Sequence, residues 1–169
     1  MDTLRPKNEM TEEDIKFQYI NPAIESKWDR NKISMETRIT DGMINLRGNR
    51  VFRSEAKKAD YILYINPQKP IAIIEAKSNK YSVSHGLQQA MQYAEMLDVP
   101  FAYSSNGDGF YEHDYLTGKE RELSLEEFPS EDELLIRFTA NSNEGKGLND
   151  NVRKIIEQPY YSSQNTYPP

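Results

Sequence analysis

The chain has 169 residues, 37% of them hydrophobic, no cysteine, and a formal net charge of -6 at pH 7. That is enough apolar content for one core with tails, and it excludes a disulfide framework or a thiolate metal site. No apolar run approaches a membrane span and no signal-peptide core opens the chain, so a soluble, cytoplasmic protein with no membrane partner is expected. The acid excess argues against a stand-alone nucleic-acid binder. Its distribution is uneven, however: Arg47, Arg50, Arg53, Lys57 and Lys58 stand against the single acid Glu55, directly ahead of Asp60.

In chain order, residues 1–10 are polar and read as a frayed N-terminus. Thr11, with Asp14 three residues on, is an N-cap signal. Ile15, Tyr19, Ala23 and Trp28 follow at roughly helical spacing and predict a helix over 12–27, kinked or broken at Asn21-Pro22. Glu12, Glu13 and Asp14 in its first turn suit the positive end of the helix dipole. Residues 33–39 alternate, and Asp41-Gly42 ahead of Met43-Ile44-Asn45-Leu46 signals a hairpin. Two short apolar runs, 59–65 and 71–77, flank a Pro-bearing turn over 66–70 and read as neighbouring strands. The second is apolar at four successive positions, as expected of a strand covered on both faces.

Leu87, Ala90, Met91, Ala94 and Leu97 mark one face of a helix over 84–97, ended before Pro100. A strand over 101–104 follows, giving a central unit of strand, strand, helix, strand. Asn106-Gly107-Asp108-Gly109 is a turn, and 110–115 and 121–123 read as peripheral strands. Ser130, with Glu133 three residues on, caps a helix running to Phe138. Beyond Ala140 the composition is that of a linker, with a short helix at 149–157 and a tail lacking any core-forming pattern. Gly145-Lys146-Gly147 lacks the spacing and hydroxyl of a phosphate-binding loop. His85 and His113 are far apart, so neither a His-based triad nor a zinc site is supported; His85 reads as a surface residue at a helix start.

Period two puts Glu75 and Lys77 on the same side of their strand, and Asp60 begins the strand before it. Three charged groups therefore converge at one edge of a buried sheet, where charge needs a partner, solvent or a metal. Two readings stand. One is a structural Glu75–Lys77 pair at a strand end. The other is a divalent-metal site in which two carboxylates hold a hard cation and the lysine positions the water that attacks a phosphodiester.

Asp60, then Glu75-Ala76-Lys77, then a helix carrying Gln89-x-x-x-Tyr93, resembles the PD-(D/E)XK nuclease core. Within it, the resemblance is to the N-terminal endonuclease domain of the R (HsdR) subunit of type I restriction enzymes. The stretches 20–24, 58–61, 70–77, 86–94 and 99–107 resemble that family in order and spacing, although no proline precedes Asp60 where the motif's name expects one. The resemblance implies an α/β, restriction-endonuclease-like fold over 11–140, with a mixed central β-sheet flanked by helices. Residues 1–10 would be disordered, and 141–169 would be a linker toward helicase motor domains absent from an excised piece.

It further implies that Asp60 and Glu75 ligate Mg2+, or Mn2+ as a substitute, with the Ala76 carbonyl completing the coordination and Glu12 within reach of the metal. Lys77 would orient or activate the attacking water, and Gln89 and Tyr93 would face the site or the DNA backbone. Double-stranded DNA would be the substrate, and Arg50, Arg53 and Lys57 would supply sequence-independent phosphate contacts that weaken steeply with salt. ATP would act only through the motor domains. Modification and specificity subunits would be partners through the full-length R subunit. The competing reading is a catalytically inactive module of the same kind that only binds DNA or docks a subunit.

Overall fold

A computed structural model describes residues 5–39 and 57–141. The expected turn at Asp41-Gly42 with its following strand, the basic residues Arg47, Arg50 and Arg53, the Gly145-Lys146-Gly147 stretch, the 149–157 helix and the tail all lie outside these residues. The chain divides into one unit over Met1–Pro129 and a second starting at Ser130.

Six strands of the first unit form one mixed sheet: β1 (Ile33–Ile39), β2 (Lys57–Asn66), β3 (Lys69–Ala76), β4 (Phe101–Ser105), β5 (Gly109–Asp114) and β6 (Lys119–Ser124). They lie side by side in chain order. Every neighbouring pair is antiparallel except β3 and β4, which run parallel. A parallel step needs a crossover, and the Leu87–Leu97 helix supplies it. The β2–β3 hairpin is tighter than its sequence suggests. Asn66 and Lys69 still pair, leaving Pro67-Gln68 as the turn, with the Gln68 N–H donating to Asn66 Oδ1 at 2.9 Å. Pro70, with no N–H for the ladder, sits where the register shifts opposite Tyr64. Ile71, Ala72, Ile73 and Ile74 are all 0% exposed, and each isoleucine so buried contributes about 1.5–3 kcal/mol.

The sheet is covered on both faces. On one, Ile62, Ile73 and Ala102 pack with Ala90, Tyr93 and Ala94 of the crossover helix. Tyr61, alternating to the other face, donates its hydroxyl to Asn21 Oδ1 of the N-terminal helical segment. Tyr103, Phe110 and Phe128 cluster with ring centroids 4.6–6.4 Å apart, and the Trp28 indole donates to the Pro129 carbonyl at 2.9 Å. Lys119, Glu120, Arg121 and Glu122 form the exposed part of edge strand β6, a run of charge that discourages pairing with another chain.

The N-terminal helical segment starts at the predicted cap. Thr11 Oγ1 accepts from the Asp14 N–H at 3.0 Å and Asp14 Oδ2 from the Thr11 N–H at 3.2 Å. It runs as α1 (Glu12–Ile15), a π-helical stretch (Lys16–Ile20) and α2 (Asn21–Glu25). Pro22 offers no N–H to the preceding turn and its ring crowds that turn's carbonyl; the wider stretch relieves this, with the Asn21 N–H reaching back to Lys16 O. One residue is thereby added to the turn: Ile15 and Trp28 are buried as their spacing predicts, but Ile20 and Ile24 take the buried places expected of Tyr19 and Ala23. Residues 5–10 make specific contacts. Met10 is buried, Lys7 Nζ lies 2.8 Å from Asp108 Oδ1 and 4.0 Å from the Tyr19 ring centroid.

The crossover helix, α3 (Leu87–Leu97), begins three residues later than 84 because the chain first makes turns in which the His85 N–H meets Ser82 O and the Leu87 N–H meets Ser84 O. It ends before Pro100 as predicted, through Asp98 in the left-handed region (φ 58) and a 2.9 Å bond from the Val99 N–H to Ala94 O. In the second unit, α4 (Glu131–Asn141) carries the predicted cap, the Glu133 N–H donating to Ser130 Oγ at 3.2 Å, and runs past Phe138. No helix among the described residues is long and apolar enough to cross a membrane.

Candidate active site

The β2–β3 ladder pairs Tyr61 with Ile74, and continuing that register brings Asp60 opposite Glu75. There the carbonyls of the ladder give way to side chains. The Asp60 N–H donates to Glu75 Oε2 at 3.1 Å, and the Ala76 N–H donates to Asp60 Oδ2 at 2.8 Å. Each carboxylate is thus anchored to the other strand's backbone, which fixes the two side by side where the β2–β3 ladder ends; Asp60 does not begin its strand as expected, because β2 starts at Lys57 and pairs with β1 from there. Glu75 is only 4% exposed; burial first, and then the charge of Asp60, push its carboxyl up to about 9.

Glu12, at the start of α1, belongs to the same field. Its carboxyl is raised by partial burial and then by Asp60, while Lys77 and Lys16 pull it back down. Lys77 directly follows β3, its N–H bonded to Ser105 O at 2.9 Å. Its aliphatic stem runs along Gly86, where an added Cβ would stand 3.3 Å from Lys77 Cγ and 3.0 Å from Ser104 Oγ. Ser104 Oγ also accepts the Gly86 N–H at 2.9 Å. Gly86 is therefore the residue that leaves room for the lysine. The charge of Lys77 acts on the Glu75 carboxyl as the last of its influences, lowering it where burial and Asp60 raise it.

Two adjacent carboxylates, one largely buried, call for a proton or a cation between them. Among the described residues no cluster of three or more His, Cys, Asp or Glu side chains is gathered to hold a metal ion unaided. Two carboxylates side by side are a donor set that Mg2+ accepts, since it takes one or two carboxylates and completes its shell with waters.

Residues 12–129 match the family described as the type I restriction enzyme R protein N terminus. The chain belongs to that family. It is 38% identical over 158 residues to the EcoAI type I restriction enzyme endonuclease subunit of Escherichia coli, covering 90% of this chain and 19% of that protein's length. A fragment structure assigned as an HsdR subunit of a type I restriction enzyme from Vibrio vulnificus YJ016 superposes with a TM-score of 0.70 at 35% identity, covering 90% of this chain and 29% of that one.

In this R-protein N-terminal chain, the Gln89–Tyr93 pair lies one turn apart on α3, Gln89 Nε2 donating to the Tyr93 hydroxyl at 2.8 Å. The Tyr93 ring is in the core against Ile73 and Ala102. Its phenol is raised by burial, lowered by Gln89, and raised again by Glu75 and Asp60, which puts the hydroxyl within the field of the carboxylates. Tyr93→Phe removes one partly buried hydrogen bond and should lower stability by about 1 kcal/mol. If Tyr93 also positions a substrate, activity of the full-length R subunit should fall by more than that loss explains. A loss of several kcal/mol with unchanged cleavage would show that Tyr93 only packs. Lys57 opens β2, exposed and paired with Ile39, whereas Arg50 and Arg53 lie outside the described residues.

Two residues that sequence reasoning did not single out stand at this site. Lys16 is 2% exposed, with Nζ 3.3 Å from Asp60 Oδ1, 3.3 Å from Glu13 Oε2, and in contact with Glu36. Burial opposes its charge, but the hydrogen bond to Glu36 and the charge of Asp60 outweigh it and hold the ammonium above the ordinary lysine value. Glu36, on β1, adopts φ 54. No sequence signal marks either: an isolated lysine in a helical pattern and a glutamate in a strand read as solvent-facing.

Proposed function

We propose that this chain is the magnesium-dependent endonuclease portion of a type I restriction enzyme R subunit, built on a PD-(D/E)XK core. The observation that carries the reading is the reciprocal anchoring of Asp60 and Glu75 where the β2–β3 ladder ends, with Lys77 directly after β3 and its stem laid along Gly86. Asp60, Glu75 and the Ala76 carbonyl are the groups that would hold Mg2+, with Glu12 within the same field. When bound, the ion supplies Lewis-acid stabilisation of the phosphoryl oxygens and a more acidic water. The Lys77 ammonium orients that water and offsets charge that builds on the phosphodiester in the transition state. Tyr93 and Gln89 border the carboxylates from α3 and position the DNA strand.

Double-stranded DNA is the proposed substrate. The wider setting, ATP-driven translocation by motor domains and assembly with modification and specificity subunits, belongs to the full-length R subunit. Calorimetric titration of the 169-residue chain with Mg2+ or Mn2+ tests the reading. Binding by the wild type, lost in Glu75→Ala, is the expected result. Absence of binding by the wild type would favour an inactive module that contacts DNA or a partner subunit.

A further inference from the structure

The surroundings of Lys16 carry an inference that rests on this nuclease reading and goes beyond it. Both oxygens of Asp60 are engaged in the structure as it stands. Oδ2 accepts the Ala76 N–H at 2.8 Å, and Oδ1 faces the Lys16 ammonium at 3.3 Å. A cation approaching Asp60 therefore meets an existing positive charge. That charge has a second home. The β1–β2 register pairs Met35 with Tyr61 and Thr37 with Ala59, and the intervening step, where Glu36 faces Asp60, has no pairing. Glu36 takes a positive φ there (54°), a strained conformation for a glutamate, and its carboxylate engages Lys16 Nζ. Lys16 reaches this point because the π-helical stretch opened ahead of Pro22 keeps it on the buried side next to Ile15.

We infer that Lys16 is a built-in counter-ion of the metal-free site, shared between Asp60 and Glu36, and that it competes with the divalent cation for Asp60. Without metal, the ammonium balances the Asp60 carboxylate. With metal, it withdraws toward Glu36 and Glu13, which stop it from becoming an unpaired buried charge. Glu36 thus sets how readily the site loads, because it determines how much of Lys16 remains on Asp60.

The test is Mn2+ titration of the 169-residue chain by calorimetry, together with thermal midpoints with and without Mn2+, for wild type, Lys16→Met, Lys16→Arg and Glu36→Gln. Lys16→Met should bind Mn2+ about tenfold more tightly, since a charge 3.3 Å from a ligand oxygen is removed. Its metal-free midpoint should fall, and Mn2+ should raise that midpoint by more than it does in the wild type. Glu36→Gln leaves Lys16 to Asp60 and Glu13, so Mn2+ affinity should drop several-fold, a change opposite in sign to that of Lys16→Met. Lys16→Arg keeps the charge and should stay near wild type. If Lys16→Met does not fold, the Glu36→Gln and Lys16→Arg pair decides the matter. A Lys16→Met midpoint lowered equally with and without Mn2+, or an unchanged affinity in Glu36→Gln, overturns the inference while leaving the nuclease reading intact. A wild type that binds no Mn2+ overturns that reading, and this inference with it.

Discussion

In the assembled enzyme, Asp60→Ala, Glu75→Ala and Lys77→Ala are each expected to reduce DNA cleavage at least about 1,000-fold, the scale on which removing a group that stabilises the transition state acts. ATP hydrolysis should remain nearly intact, because in the proposed reading the motor lies in other domains. The two carboxylates fail for different reasons. Asp60→Ala removes the acceptor of the Ala76 N–H and the partner of Lys16, so the β3 end loosens and a buried ammonium loses one of its anions. Glu75→Ala removes the acceptor of the Asp60 N–H while leaving Asp60 bonded to Ala76. Lys77→Ala disturbs neither bond, and its metal binding should survive while cleavage is lost. Measuring cleavage, ATP turnover and Mn2+ binding on the same three variants separates these roles. Wild-type cleavage by any one of them removes that residue from the mechanism.

Glu75→Gln should make the metal-free chain more stable at neutral pH and flatten its pH dependence. The carboxyl of Glu75 is raised from 4.5 to about 9 by burial and by Asp60. Below about 4.5 it is protonated folded or unfolded, and the shift has no effect. Between about 4.5 and 9 the unfolded chain ionises freely while the folded one holds its proton, so unfolding releases a proton and stability falls as pH rises. The slope for one such group is at most about 1.4 kcal/mol per pH unit. Across pH 6 to 8 the midpoint of the wild type should therefore drop by roughly 5 °C or more in the absence of metal. Glutamine keeps an oxygen for the Asp60 N–H and carries no proton to lose, so most of that drop should vanish. Mg2+, which favours the ionised carboxylate, should counter the fall in the wild type and do little for the variant. Thermal melts at several pH values with chelator or Mg2+ read this directly, and an unchanged slope in Glu75→Gln would place the titrating group elsewhere.

What could be read from the residues was whatever repeats with a local period or sits at a local signal. The Ile71–Ile74 run, the Thr11–Asp14 cap, the Asn106–Gly109 turn and the stop before Pro100 each depend on neighbours a few residues away, and each forms as expected. Glu75 and Lys77 share a strand side by alternation, and the strand, strand, helix, strand order brings Asp60 beside them. The family followed from the order of those pieces.

Shifts of phase were less legible. Pro22 signalled a disturbance in the helix, but a kink, a break and an inserted residue all fit that signal. Only packing chose the π-helical stretch, which moved the buried face to Ile20 and Ile24 and drew Lys16 inward. Likewise α3 had to start late so that Gly86 could meet Ser104 and Lys77, a contact between chain segments that no window of sequence contains.

The sequence by itself determined the central strands and the caps, because these follow from local periodicity and from residue types at fixed spacing, and its resemblance to the R-subunit N-terminal domain pointed to the family that the comparison shows. The tertiary structure alone decided which charges share a field: that Asp60 and Glu75 anchor each other's strands, that Glu12 lies among them, and that Lys16 joins Asp60 to Glu36 from 44 and 20 residues away in the chain. Electrostatic energy depends on distance through space and on burial, and neither quantity exists until the helix has docked on the sheet.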